Sequence, residues 1–373
     1  MVYLDCAANS PVEGEVLDTF YEVTKNYYAN PNSNHKLGLI AKKLIEDSTN
    51  HIASLLRVLP EEIIYTSGAT ESNNLAIKGV CERYKNYGKH IIVSGLEHNS
   101  IIASATTMQE AGFEVDLLDV DKNGIVNINH LKELLRPDTI LVSICSVDSE
   151  LGIRQPIEEI GKILKEYPHT IFHTDASQAI GKVALDFTDV DMVTMAPHKF
   201  YGLNGFGVLI KKKNITLKPI IHGGKSTTVY RSGTPVLGNV VALDKALSIA
   251  LEQLDSRREY VTNLNKQVRE FFNGYPNVHI NSTENSICYT LNFSIKGIKS
   301  DDFSKMLEEK EIYLSTKTSC CPVGTPSKLV YALTHDKNLA STSLRLSLSH
   351  MTTEEELEEY YKAFDACYKE VMK

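Results

Sequence analysis

No apolar run in these 373 residues reaches the about 18 residues that a membrane-spanning helix requires, so no span is expected. The amino terminus, Met1-Val2-Tyr3-Leu4-Asp5, lacks a basic region followed by a long apolar stretch, so no secretory signal is expected either. Cysteine is sparse and unpatterned. Its seven residues, Cys6, Cys81, Cys145, Cys288, Cys320, Cys321 and Cys367, are an odd number with no CxxC spacing, which suits neither a disulfide framework nor a zinc site. A reducing cytoplasm is the setting this implies, where a thiol is either inert core or chemistry. A basic surplus is missing too: the formal net charge is −8, and Lys211-Lys212-Lys213 reads as a solvated loop after a strand. Neither direct nucleic-acid binding nor an anionic-membrane surface is expected from such a balance. There is no internal repeat and no low-complexity linker.

The length exceeds what one hydrophobic core usually serves, so two domains are expected. Strand-like runs at 63–66, 90–94, 114–118, 140–145, 170–174, 191–195 and 207–210 alternate with helical patterns such as 71–84 and 156–166. That alternation predicts an α/β fold with a mostly parallel sheet. After about Leu237 the pattern changes to one long amphipathic stretch, 240–273, then strands near 287–293 and 343–347 and an acidic helix over 352–372. The expected organisation is a large domain over 15–249 and a smaller α+β domain made of 1–14 with 250–373.

Two apolar runs end in groups of opposite charge. The first, Thr170 to Thr174, delivers Asp175 with Gln178 three residues on; the second, Val190 to Met195, delivers His198-Lys199 before a glycine-bearing turn. In an open α/β sheet, ligands bind outside the carboxyl ends of the strands, so one carboxylate and one amine face one crevice. A lysine there can form a Schiff base with an aldehyde, and a carboxylate can keep a pyridinium nitrogen protonated, as an electron-sink pyridoxal cofactor requires. Taken alone, each is equally a solvated strand end.

The other candidates have the same two faces. Ser67-Gly68-Ala69-Thr70-Glu71 follows a strand and opens a helix, which suits a phosphate at the helix amino terminus or a plain capping box. His98, after the next strand, could stack on an aromatic ring or sit as a satisfied histidine. Asn30 to His35 is a loop rich in residues that bond their own backbone. Thr318 to Pro326 carries Cys320 and Cys321 amid Gly, Pro and Ser, the composition of an exposed loop whose thiol can be a nucleophile. Arg345 alternates with Leu344 and Leu346, so its guanidinium faces away from them, toward a substrate carboxylate or a structural ion pair. Two imitations are set aside. Asp119 to Gly124 copies half of a calcium loop but has His130 at the twelfth position, and Gly224-Lys225-Ser226-Thr227 ends like a P-loop whose earlier glycine falls on Pro219.

Together these stretches resemble the cysteine desulfurases of the class V aminotransferase family, the NifS/IscS-like enzymes. The resemblance runs almost end to end, and Ser67 to Asn74, His173 to Gln178, His198-Lys199 and Arg231 to Thr234 carry it. It implies the fold-type I architecture of pyridoxal-phosphate enzymes, with a seven-stranded sheet in the large domain. By resemblance Lys199 would carry pyridoxal 5′-phosphate and shuttle the proton, Asp175 would pair with the ring nitrogen, Gln178 would reach the ring hydroxyl and His98 would stack on the ring. Ala69, Thr70 and His198 would hold the phosphate, with Thr234 contributed by the partner in a homodimer. Arg345, Ser149 and Asn34 would bind the substrate, L-cysteine. Cys321, at the place of the family's nucleophile, would take the sulfur as a persulfide, leaving L-alanine, and pass it to an acceptor protein, a scaffold or a thiolation enzyme. By its position alone, and not by the resemblance, Cys320 beside it is expected to resolve or protect that persulfide.

The chain departs from the family's pattern in several places. Asp148-Ser149-Glu150 stands where Asn-Asn-Glu is usual, Ala196-Pro197 where a serine and a glycine precede His-Lys, and Gly223 to Thr227 is altered. Cys320 replaces an alanine, and the following loop is about two residues shorter. Each neutral hydrogen bond lost is worth about 1 kcal/mol, which weakens holding without abolishing it. The alternatives are a selenocysteine lyase or another pyridoxal-phosphate C–S lyase, and a non-catalytic scaffold that binds a partner through the cysteine loop.

Overall fold

The inner strands of the main sheet are buried along their whole length because both of their faces are covered. In this computed structural model, which describes residues 1–316 and 325–372, twelve strands are formed among the described residues. They are β1 (Val2–Tyr3), β2 (Ile63–Thr66), β3 (His90–Ser94), β4 (Glu114–Leu118), β5 (Thr139–Ser143), β6 (Ile171–Asp175), β7 (Met192–Met195), β8 (Gly207–Lys211), β9 (Val278–Ile280), β10 (Thr290–Ile295), β11 (Ile312–Tyr313) and β12 (Ser343–Ser347). Seven of them form one sheet in the order β2-β8-β7-β6-β5-β3-β4. Only β8 runs against its neighbours in that sheet, so the expected mostly parallel α/β architecture is present.

Alternate residues feed two cores, as the pleat requires. Ile91, Val93, Leu141, Ile171 and Met192 point to the face covered by helices Ala69–Tyr84 and Asn99–Glu110. Ile92, Val142, Phe172 and Val193 point to the opposite core, shared with helices Ile157–Leu164 and Leu237–Glu252. A strand buried on both faces reads as a continuous apolar run, which is why these segments were legible. Strands β2, β3 and β4 have the ends read from the sequence, and the other four differ by one or two residues; at β5 the apolar run continues past the last ladder bond, with Ile144 and Cys145 buried beyond its end.

The remaining strands lie apart from this sheet. Strands β12, β10 and β9 form an antiparallel sheet in that order, and β1 pairs in parallel with β11. Helix Glu354–Val371 packs its Tyr360, Phe364 and Tyr368 in an aromatic cluster with Phe271, Phe272 and Tyr275. Its amino end carries the reciprocal Thr353 and Glu356 capping box, which fixes its start. The stretch 240–273 is two helices, Leu237–Glu252 and Leu254–Phe272, because Gln253 at φ −99° and ψ 11° leaves the helical region. The short strand Val278–Ile280 escaped the sequence reading, being too short for a visible alternation. Residues 119–124 form the expected tight turn, in which Asp121 Oδ1 accepts from the N–H groups of Asn123 and Ile125. Among the described residues no helix is long and apolar enough to cross a membrane, and no group of three or more His, Cys, Asp or Glu could hold a metal ion.

Candidate active site

Strands β3, β5, β6 and β7 all end at one edge of the sheet, and the residues that follow them line one cavity of about 400 Å3. Its walls include Ala69, Thr70, His98, Ser149, Asp175, Gln178, His198, Lys199 and Arg345. Nine of the twelve residues singled out above are thus brought together. Of the others, Asn34 is exposed and lines a second cavity of about 890 Å3 with Tyr65 and Lys225, and Thr234 is exposed and borders neither. Cys321, with Cys320, lies outside the described residues.

The carboxylate at the end of β6 is held from two sides. Asn73 Nδ2 donates to Asp175 Oδ2 at 2.8 Å, and the Ser177 N–H donates to Oδ1 at 2.9 Å. Asn73 is fully buried on helix Ala69–Tyr84 and also donates to Ser100 Oγ, so one amide ties the helix, the carboxylate and the segment after β3 together. The amine opposite is Lys199. Its Nζ donates to the backbone carbonyls of Ala7 at 2.8 Å and Ala8 at 2.6 Å, groups almost two hundred residues away that no side-chain pattern announces. The segment carrying them is itself fastened: the Ser10 N–H donates to the His198 carbonyl, and the Ala7 N–H to Ser347 Oγ on β12.

The turn Ser67-Gly68 brings the free N–H groups of helix Ala69–Tyr84 to the cavity, an arrangement suited to an anion. Gly207 makes it possible, since a Cβ there would sit 2.5 Å from the Gly68 carbonyl carbon. The capping box does not form: neither Ser67 nor Thr70 caps the helix. Instead Glu71 accepts from the Ser67 N–H at 2.7 Å and from Arg231 Nε at 2.9 Å. Burial works to raise the Glu71 carboxyl, but the Arg231 and Ser67 bonds outweigh it and hold it below its ordinary value.

Burial favours the neutral form of both histidines in the wall. Burial lowers His98 below its ordinary value, and its Nδ1 accepts from the Ser100 N–H at the start of helix Asn99–Glu110. Burial, then the charges of Lys199 and Lys182, pulls His198 down to about 4. Arg345 is almost fully buried; its Nη2 donates to Asp5 Oδ1 at 2.6 Å and its Nη1 to the Ser149 carbonyl at 2.8 Å. The structural ion pair is therefore made, and the guanidinium still reaches the cavity. Asp148 is structural. Burial raises its carboxyl to about 6, and its two oxygens accept from the N–H groups of Glu150, Leu151 and Ile153. An amide at this position has one oxygen to offer those donors.

The cavity wall fits a group that bears a phosphate and further acceptors. Among the described residues His198 Nδ1, Ser177 Oγ and Arg345 Nε are buried there without hydrogen-bond partners, and such groups are costly to leave unmatched. Asn73, Asp5, Glu71 and the Ala7 and Ala8 carbonyls were missed from sequence as parts of the site. Only Asn73 and Glu71 gave a signal, lying one helical turn apart or less behind the Ser67-Gly68 turn.

Comparisons with known proteins point the same way. The family model described as Aminotransferase class-V matches residues 2–360. A NifS/IcsS protein homolog from Lactobacillus delbrueckii subsp. bulgaricus is 39% identical and covers 100% of this chain and 98% of its own length. Cysteine desulfurase IscS from Dictyoglomus turgidum is 36% identical, over 95% of this chain and 91% of that protein. A solved structure titled as a NifS-like protein superposes with a TM-score of 0.92 at 31% identity, covering 100% of this chain and 99% of that one.

Proposed function

Since this chain belongs to the class-V aminotransferase family, among its NifS/IscS-like cysteine desulfurases, we propose that it converts L-cysteine to L-alanine and hands the sulfur to an acceptor protein. The observation that carries this reading is one cavity lined by the Lys199 amine, the Asp175 carboxylate and the Arg345 guanidinium. Pyridoxal phosphate, when bound, supplies an electron sink for the pair of electrons left at the substrate α-carbon. Lys199 would hold its aldehyde carbon and carry the α-proton. Asp175, braced by Asn73, would keep the ring nitrogen protonated, and neutral His98 would stack on the ring. The N–H groups at Ala69 and Thr70, together with His198, would bind the phosphate.

Arg345 would take the substrate carboxylate, with Ser149 beside it and Asn34 brought from elsewhere. Because Thr234 and Asn34 are exposed and away from the cavity, we read the working form as a homodimer in which a partner subunit brings Thr234 to the phosphate. Cys321 is the proposed sulfur acceptor on the enzyme. Its assignment is supported by the five cysteines of the described residues, whose thiols burial pushes upward in every case: Cys6 and Cys81 to about 12, and Cys145, Cys288 and Cys367 above their ordinary value. Thiols so held are poor nucleophiles. The acceptor is a protein of iron–sulfur assembly or thiolation in the cytoplasm, and the chain divides into a large domain over 15–249 and a smaller one made of 1–14 with 250–373.

The test is an absorbance spectrum before and after L-cysteine is added, with alanine quantified in the same tube. A cofactor band that changes, with alanine formed, is expected; a band without alanine would replace L-cysteine by another substrate. In Cys321→Ala the band should persist while alanine formation is lost. Full alanine production by that variant would remove Cys321 from its role and favour a lyase that needs no protein thiol.

A further inference from the structure

Behind the cavity wall lies a buried ammonium that the roles above do not use. Lys182 sits on the helical turn after β6, four residues beyond Gln178, and is only 4% exposed. Its Nζ donates to Gln178 Oε1 at 2.8 Å. At the other end of the same carboxamide, Gln178 Nε2 donates to the Ala7 carbonyl at 2.8 Å, and that carbonyl also accepts from Lys199. An ammonium can only donate and a carbonyl oxygen can only accept. The two neighbours therefore specify the amide from both ends, with its oxygen toward Lys182 and its N–H2 toward Ala7 on the cavity wall.

We propose that Lys182 is a positioning residue, holding the Gln178 carboxamide so that bound pyridoxal phosphate meets a hydrogen-bond donor at its ring hydroxyl. The inference rests on pyridoxal phosphate occupying this cavity with Gln178 at that hydroxyl. An ionised ring hydroxyl accepts only; a carboxamide turned over would set oxygen against oxygen. Packing alone does not call for a charge here, since an apolar chain of the same length fills the space without the cost of burying an ammonium. Two further cations, Lys199 and Arg345, act on the same ammonium electrostatically, so Lys182 belongs to the charge system of the site.

A double-mutant cycle separates orientation from packing. Apoprotein of the wild type, Lys182→Met, Gln178→Ala and the double variant is titrated with pyridoxal phosphate at pH 6.5, where Lys182 is held as the ammonium, and followed by absorbance. Lys182→Met is expected to raise Kd about tenfold, about 1.4 kcal/mol, in the wild-type background and less than twofold beside Gln178→Ala. The absorption maximum of the bound cofactor should move in the same direction in Lys182→Met as in Gln178→Ala. An equal loss in both backgrounds, an unchanged Kd, or a maximum that stays in place would overturn the inference. Should Lys182→Met yield no folded apoprotein by near-ultraviolet circular dichroism, the cycle is read with Lys182→Leu, which likewise offers Gln178 Oε1 no donor. Failure of the wild type to take up pyridoxal phosphate would overturn the reading of the cavity itself, a result distinct from any outcome of the cycle.

Discussion

Replacing Lys182 by methionine should make the cofactor-free protein more stable, and the gain should fade as pH rises. Burial, with the charge of Lys199 second, pulls the Lys182 ammonium from its ordinary 10.5 down to about 7. At about 1.4 kcal/mol per unit, that shift corresponds to about 5 kcal/mol of destabilisation carried by the folded protein below pH 7. Between pH 7 and 10.5 the unfolded chain binds this proton and the folded one does not, so wild-type stability rises with pH across that window. Methionine has nothing to titrate there. Against the gain stands the Gln178 oxygen, which loses its donor at a cost of about 1–3 kcal/mol. The variant should then be about 2–4 kcal/mol more stable near pH 6.5, and about equal to wild type near pH 9.5. Urea midpoints of the two apoproteins at these pH values are the measurement. A variant less stable at pH 6.5, or a difference that does not change with pH, would refute the buried-charge reasoning.

Three more perturbations follow from the same geometry. Lys199→Ala should lower alanine formation from L-cysteine by about a thousandfold or more, the range of a lost proton carrier, and should let the cofactor band wash out on dialysis; retained turnover would exclude Lys199 from the chemistry. Arg345→Lys replaces a fork by a point charge, so KM for L-cysteine should rise about tenfold while kcat changes less, and a KM left unchanged would move carboxylate binding to another group. Burial raises the Glu97 carboxyl to about 8, so the folded protein keeps a proton that the unfolded chain has lost, and this group's contribution to wild-type stability falls from about pH 4.5 to 8. Glu97→Gln retains the oxygen that accepts from Ser94 Oγ and the Cys145 N–H; its urea midpoint should match wild type at pH 5 and exceed it by about 4 kcal/mol in stability at pH 8. Parallel curves for the two proteins would count against a protonated Glu97.

What could be read from the sequence, and what could not, divides along a physical line. Asp175, His98 and Lys199 were legible because each stands just past an apolar run, and a run buried on both faces announces its own end. The partners of these groups were hidden. Lys199 is met by the carbonyls of Ala7 and Ala8, which every residue possesses, and Arg345 by Asp5 across 340 positions of sequence. Asn34 and Thr234 were legible only through family likeness, and the chain by itself leaves both outside the cavity. Lys182 is the instructive case. It is a single charge in the run Ala176 to Val183, at helical spacing from Gln178, and a lysine so placed must either reach solvent or find a buried acceptor. The carboxamide oxygen is that acceptor, and holding it leaves the amide one way to face. A charge kept in an apolar run at a cost in stability therefore points to a group whose orientation matters, and the two measurements on Lys182→Met, cofactor affinity and apoprotein stability, should move in opposite directions.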